Sequence, residues 1–259
     1  MIVRAATPAV TFDSGGVPLA GLLHLPAGPG PYPVVLLLQG FPGNERNLDL
    51  AQALRAAGYA AVAFHYRGSW GMGGTWSWAN ALEDAAAVAR AVRTEAFASA
   101  YRLDPGRLAL FGHSFGGFAA LMIAAADPSI AAVVSVSGFD FGTVSRTLDP
   151  AARARYVEAF GEELLPLRGT SGEALVAEME RAGDRWSLAG LSPRLAGRPV
   201  LLIGTSDDTV TPADVHHRPL VKAYDQAALD HHEWHTDHAL SDHRGRLIET
   251  VRAFLDGRL

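Results

Sequence analysis

Unbroken apolar runs alternate with segments of helical spacing along most of this chain, and that alternation narrows the available folds more than any other feature. Pro33–Gln39 (PVVLLLQ), Tyr59–Phe64, Leu108–Phe111, Ile130–Val136 and Pro199–Ile203 are almost wholly apolar. A strand covered on one face alternates apolar with polar residues, so an unbroken run implies cover on both faces. Helical spacing fills the intervals: around Leu48–Ala57, from about Asn80 to Phe97 with Asn80 and Glu83 as a capping-box-like start, and from about Phe115 to Ala126. Leu229–Trp234 reads as a last strand. Leu247, Ile248, Val251, Phe254 and Leu255 recur at the spacing of a final amphipathic helix. At the other end, Ala9–Phe12 and Pro18–Leu25 flank Ser14-Gly15-Gly16, the pattern of a hairpin. The expected class is α/β: a mostly parallel sheet preceded by an antiparallel hairpin, with helices on both faces.

One interval breaks the rhythm. Between Gly138 and Leu195 no strand-like run occurs, only two amphipathic segments, Pro150–Leu165 and Ser171–Ala182, the second with Thr170 and Glu173 as a capping box. A crossover needs only about a dozen residues, so residues 139–195 are expected to form a small helical cap inserted in one domain spanning 1–259. With 49% apolar and 19% charged residues, the chain has ample material for a core, which argues against disorder. A net charge of −5 speaks against nucleic acid as a partner. No apolar run approaches the ~18 residues of a membrane span. The start, Met1-Ile-Val-Arg-Ala-Ala-Thr-Pro8, lacks a signal-peptide pattern, so a cytoplasmic location is expected. The absence of cysteine excludes thiolate nucleophiles and zinc–thiolate sites.

Gly112-His113-Ser114-Phe115-Gly116 matches G-x-S-x-G, and its setting makes the match informative. It directly follows an apolar strand and directly precedes a helix, as a nucleophile elbow requires. Ser114 would stand above the carboxyl edge of the sheet, where the free N–H groups of a helix start face developing negative charge.

With these residues, the sequence resembles the α/β-hydrolase superfamily over essentially its whole length. It looks most like small carboxylesterases related to dienelactone hydrolases and to prolyl-oligopeptidase catalytic domains. Gln39-Gly-Phe-Pro-Gly43, Tyr66-Arg-Gly68, Gly112–Gly117, Gly204-Thr-Ser-Asp207 and Asp237-His238 carry the resemblance. It implies an α/β-hydrolase fold and a serine hydrolase that cleaves carboxylic esters through an acyl-enzyme. The implied nucleophile is Ser114, the acid Asp207 and the base His238. Asp208 adjoins the acid position and stays in contention, whereas Asp214 reads as part of a helix start. The implied oxyanion donors are the backbone N–H groups of Phe41 and Phe115. Where the family often has His-Gly in that loop, this chain has Gln39-Gly40, so the side-chain bonding that shapes the loop must differ. No cofactor is implied, and the expected partner is a small-molecule ester. The alternatives are an amidase or aminopeptidase, with Glu162 or Glu178 holding an amine, or a non-catalytic binding protein on the same fold.

Seven of the ten histidines fall at or after His216. His238 lies in the loop between the last strand and last helix, where the superfamily has its base. His243 projects onto the same helical face as Leu247 and Phe254, which suits a packed role. His231, His232, His235 and His238 could suggest a metal, but neighbours on a strand point to opposite faces, and no metal site is expected. Trp70, Trp76 and Trp78, with Phe115, Phe118, Phe139 and Phe141, could line an acyl or aryl pocket or merely pin a glycine-rich loop. Trp70, Trp76 and Phe139 are the candidate substrate contacts.

Overall fold

In the computed structural model, which describes residues 3–259, the unbroken apolar runs become the middle of an eight-stranded sheet. The strands are β1 (Ala9–Ser14), β2 (Val17–His24), β3 (Tyr32–Leu38), β4 (Ala60–Phe64), β5 (Leu103–His113), β6 (Ala132–Val136), β7 (Pro199–Thr205) and β8 (Ala228–Trp234). They lie in the order β1-β2-β4-β3-β5-β6-β7-β8. β2 runs antiparallel to β1 and β4, and all other neighbours pair in parallel. The expected hairpin and parallel sheet are both present.

Among the described residues, eleven α-helices accompany the sheet: α1 (Leu48–Ala56), α2 (Trp78–Ala91), α3 (Glu95–Tyr101), α4 (Phe115–Ala126), α5 (Phe141–Arg146), α6 (Pro150–Glu162), α7 (Gly172–Ala182), α8 (Ser192–Leu195), α9 (Ala213–His216), α10 (Arg218–Ala223) and α11 (Arg244–Asp256). The run in β3 shows why apolar residues had to be continuous. Val34, Leu36 and Leu38 enter one core with α2 and α4, while Val35 and Leu37 enter a second with Leu50 and Leu54 of α1 and Val251 and Phe254 of α11. Among the described residues, no helix is long and apolar enough to cross a membrane.

The helix expected over Asn80–Phe97 is two. Ser77 caps α2 by accepting the Asn80 N–H at 3.1 Å, so Asn80 lies inside the first turn rather than at the cap. Thr94 caps α3 through the Phe97 N–H. Likewise α7 is capped by Ser171, which accepts from Ala174 N at 3.1 Å, and not by Thr170.

Strand order reverses between β3 and β5. From β3 the chain moves outward to β4, then returns across β3 to begin β5 and continues through β6, β7 and β8. In open sheets, crevices form outside the carboxyl ends of strands at such a switch. The segment between β6 and β7 rises over this edge as α5, α6, α7, two 3-10 turns (Gly183–Trp186 and Ala189–Leu191) and α8. Leu175, Val176 and Met179 of α7 are fully buried in the first core. Glu178 from the same helix accepts the Trp78 and Ala79 N–H groups at 2.9 and 2.8 Å, placing a carboxylate on the positive end of α2.

Candidate active site

Ser114 sits between β5 and α4 with φ 58° and ψ −122°, a left-handed conformation that a side chain adopts only under constraint. Its N–H donates to Val136 O at 2.9 Å, while its own carbonyl accepts from Gly117 and Phe118 at 2.9 and 3.2 Å. The flanking glycines permit the turn. A Cβ on Gly112 would fall 1.9 Å from Gly116 O, and one on Gly116 would fall 1.9 Å from Leu38 O. The loop after β3 passes close by: a Cβ on Gly40 would come within 3.0 Å of Ser114 Cβ.

Ser114 and His238 line one cavity of about 630 Å³ at the carboxyl edge of the sheet. His238 lies in the loop between β8 and α11, and its Nδ1 is 2.6 Å from Oδ2 of Asp208. The carboxylate can only accept, so Nδ1 carries the proton and Nε2 is the nitrogen left free.

Asp208, and not Asp207, meets the imidazole. β7 continues through Thr205, paired with Trp234, so the chain turns two residues later than the apolar run ends. At that turn Asp207 donates its N–H to Thr236 O at 3.2 Å and points outward to His235, 2.8 Å away, with 47% of its side chain exposed. The next residue folds back beneath the loop. Oδ1 of Asp208 accepts the Val210 and Thr211 N–H groups, both at 2.8 Å. Its Oδ2 accepts the Thr205 and Thr211 hydroxyls at 2.8 and 2.6 Å. The Thr205 hydroxyl accepts in turn from Ser137 at 2.9 Å. Burial alone would raise the Asp208 pKa, but the hydrogen bond and charge of His238 and the Thr211 donors outweigh it. The carboxyl is held well below the usual range. The sequence carried no sign of Ser137 or Thr205 in this role; the bond from the Val210 N–H, two residues on from Asp208, closes an Asx-type turn.

Two further histidines flank His238. His113 bonds the His238 carbonyl through Nε2 at 2.7 Å, and burial, then the neighbouring His238 charge, lowers its pKa to about 3. His216 accepts the Asp140 N–H on Nδ1 at 2.9 Å, packs on Phe139, and is lowered to about 4 chiefly by burial. His243 stacks on Trp234 and pairs with Asp242 at 2.8 Å. His232 approaches Trp234 while His231 approaches His217, the opposite faces expected of strand neighbours. Among the described residues, no three His, Asp or Glu side chains converge as ligands for an ion.

The rings divide differently from expectation. Phe139 lines the cavity, together with Phe41, Trp78, Phe115, Phe141, Tyr156 and Phe160. Trp76 is only 2% exposed and lies behind that wall, edge-on to Tyr66 and Phe115, so it supports the cavity and does not line it. Trp70 faces a separate depression of about 540 Å³, and its Nε1 donates to Pro42 O at 3.0 Å. Neither indole is among the residues lining the cavity that holds Ser114 and Phe139. Trp78, Phe115 and Phe141 were among the rings the sequence offered for a pocket, whereas the α6 residues Tyr156 and Phe160 were not. Gln39 is buried under the β3 loop, where its Nε2 would meet a Cβ on Gly43 at 2.9 Å. Phe41 and Phe115, the expected backbone donors, both border the cavity. Phe115 opens α4, where the first N–H groups have no partner within the helix. A hydroxyl, an imidazole committed to a buried carboxylate, and N–H groups at a helix start, all beside one cavity, are the parts of an acyl-transfer site.

The sequence matches the family of the alpha/beta hydrolase fold over residues 33–198. It is 34% identical to the quorum-quenching protein AidA of Acinetobacter baumannii (strain MDR-ZJ06) over 140 residues, 51% of this chain and 44% of that protein. It is 28% identical to 2,6-dihydropseudooxynicotine hydrolase of Paenarthrobacter nicotinovorans over 132 residues, 48% of this chain and 33% of that enzyme. The chain therefore spans less than half the length of these curated relatives. The structure of Est1E from Butyrivibrio proteoclasticus with ferulic acid bound is similar at a TM-score of 0.74 and 19% identity. That likeness covers 96% of this chain and 98% of the other, and is one of fold.

Proposed function

The chain belongs to the alpha/beta hydrolase fold family, and we propose that it is a serine hydrolase cleaving carboxylic esters of small molecules through an acyl-enzyme. The observation that carries this reading is the elbow conformation of Ser114 beside His238, whose Nδ1–H is taken by the buried Asp208. In the proposed sequence, Nε2 of His238 accepts the Ser114 proton as Oγ attacks the ester carbonyl, and Asp208 stabilises the imidazolium that forms. The tetrahedral oxyanion is met by the N–H groups of Phe41 and Phe115, each of which such sites value at ~10²–10³ in rate. The imidazolium then protonates the departing alcohol; the neutral imidazole next takes a proton from water as it attacks the acyl-enzyme, and returns that proton to the leaving Ser114 oxygen.

The cavity's rings favour an apolar acyl group, aromatic ones included. The segment 139–195 acts in this reading as a cap: α6 supplies Tyr156 and Phe160 to the cavity wall. The amidase reading loses Glu178, whose carboxylate is occupied at the start of α2, and of its two named glutamates retains Glu162, which lines the cavity beside Glu45 and Glu163. The test is hydrolysis of matched ester and amide panels by the protein and by Ser114→Ala. Ester turnover exceeding amide turnover, and a loss of ~10³-fold or more in Ser114→Ala with the fold intact, are expected. A variant keeping more than about a tenth of the activity would refute the nucleophile.

A further inference from the structure

We propose that His113 is a positioning residue: its Nε2–H grips the main-chain carbonyl of His238 while its ring backs the His238 imidazole. The inference rests on the reading of Ser114 and His238 given above. His238 is carried by the loop between β8 and α11, remote in sequence from the elbow, so its placement must come from contacts. Asp208 and, at 3.3 Å, the Thr211 hydroxyl meet one ring nitrogen, but contacts at Nδ1 alone leave the ring free to swing with its backbone. The second hold comes from β5. His113 ends that strand, paired with Val136 of β6, and directly precedes the serine. Its Nε2 lies 2.7 Å from the His238 carbonyl oxygen, and the two rings sit 4.8 Å apart at 43°. The carbonyl only accepts, so Nε2 of His113 is the protonated nitrogen. Strand β5 thus carries both the nucleophile and the grip on its base, and a shift in one moves the other with it.

The chemistry of the position suits this role. His113 is almost fully buried, and the groups facing it are the His238 ring, the Asp208 carboxylate and the Arg244 guanidinium. Burial keeps it neutral, so it adds no positive charge beside the imidazolium that forms during reaction. Arg244 also ties the loop, donating to Ala239 O at 3.3 Å while held by Asp49 at 2.6 Å. An apolar side chain could fill the space at 113 but would leave the His238 carbonyl without its donor.

His113→Phe keeps a ring and removes the donor, whereas His113→Gln keeps a donor and removes the ring. With 4-nitrophenyl butyrate as the probe, His113→Phe should lower kcat by ~10–100-fold with KM within about threefold, the pattern of a misplaced group rather than a lost pocket. Its kcat/KM profile should shift its acidic limb to lower pH, because a loosened pair with Asp208 stabilises the imidazolium less. His113→Gln should recover about tenfold or more of the loss. His113→Leu repeats the comparison if the phenylalanine variant does not fold. Wild-type kcat and pH profile in a folded donorless variant would overturn the proposal. So would equal losses in the Phe and Gln variants with an unmoved limb, the result of packing alone. Ser114→Ala is the control: retained hydrolysis there overturns the site itself, while a dead Ser114→Ala beside a fully active His113→Phe overturns only the role of His113.

Discussion

Nδ1 of His238 faces a carboxylate with no exposed surface, while the preceding carboxylate in the sequence is 47% exposed and meets His235 and the Ser206 hydroxyl. Asp208→Asn should lower kcat by ~10³–10⁴ with KM nearly unchanged, because an amide at that position favours the wrong imidazole tautomer. Asp207→Asn should cost less than about tenfold, and steady-state kinetics on one ester separates the two. The reverse order would reassign the acid. At this scale Ser114 was legible because only glycine tolerates the approaches made at 112 and 116. The place of His238 followed from chain order. The carboxylate that meets it lies one residue past Asp207, since Gly204-Thr205 look like loop in sequence and become strand only by pairing with Glu233 and Trp234. A tertiary partner, not a local preference, ended β7 where it ends. Trp76 was misassigned for a similar reason: a ring lining a cavity and a ring supporting that lining have the same composition.

Helix α6 contributes Tyr156 and Phe160 to the cavity and has no fully buried residue of its own. It is tied to α7 by Arg153, whose guanidinium reaches Glu173 at 2.5 Å and Glu180 at 3.1 Å. Such exposed pairs contribute little to stability, but they orient α6 over the site. Phe160 touches Phe41 and Trp78 across the cavity, with ring centroids 5.6 and 5.3 Å apart. Phe160→Ala should raise KM about tenfold for aryl and long acyl esters while leaving acetate esters within about twofold, roughly the loss of one aromatic contact. An unchanged preference ranking across an acyl series would remove α6 from substrate selection. Helix α4 was legible residue for residue, bounded by the elbow and by Asp127. The break between α2 and α3 was not, because apolar spacing persists across it and only the Thr94 cap interrupts the hydrogen bonding. Helices α5 and α8, at six and four residues, are too short to leave a periodic signal.

For the molecule as a whole, the sheet, its hairpin and both helical layers were readable because each middle strand must be apolar on two faces. The histidines buried with that core make stability depend on pH. Burial lowers His216 and His217 to about 4 and His113 to about 3, against 6.5 for a free imidazole. Between those values the unfolded chain binds protons that the folded chain does not. The stability involved is complete above pH 6.5 and is lost as pH falls toward 4, at up to ~1.4 kcal/mol per pH unit for each such group. Thermal unfolding followed by circular dichroism should show a midpoint that falls steadily from pH 7 to pH 5; an unchanged midpoint would mean these rings are not held neutral. The sheet edge also sets what must be asked of the site itself, where the switch between β3 and β5 brings the elbow beside the β3 loop. The central claim is that Ser114 is an activated nucleophile. Its most direct measurement is reaction of the intact protein with a fluorophosphonate, followed by mass analysis of its peptides. One adduct on the peptide containing Ser114, absent from His238→Ala, is the predicted result. A folded protein that stays unlabelled, or carries its adduct on another residue, would contradict it.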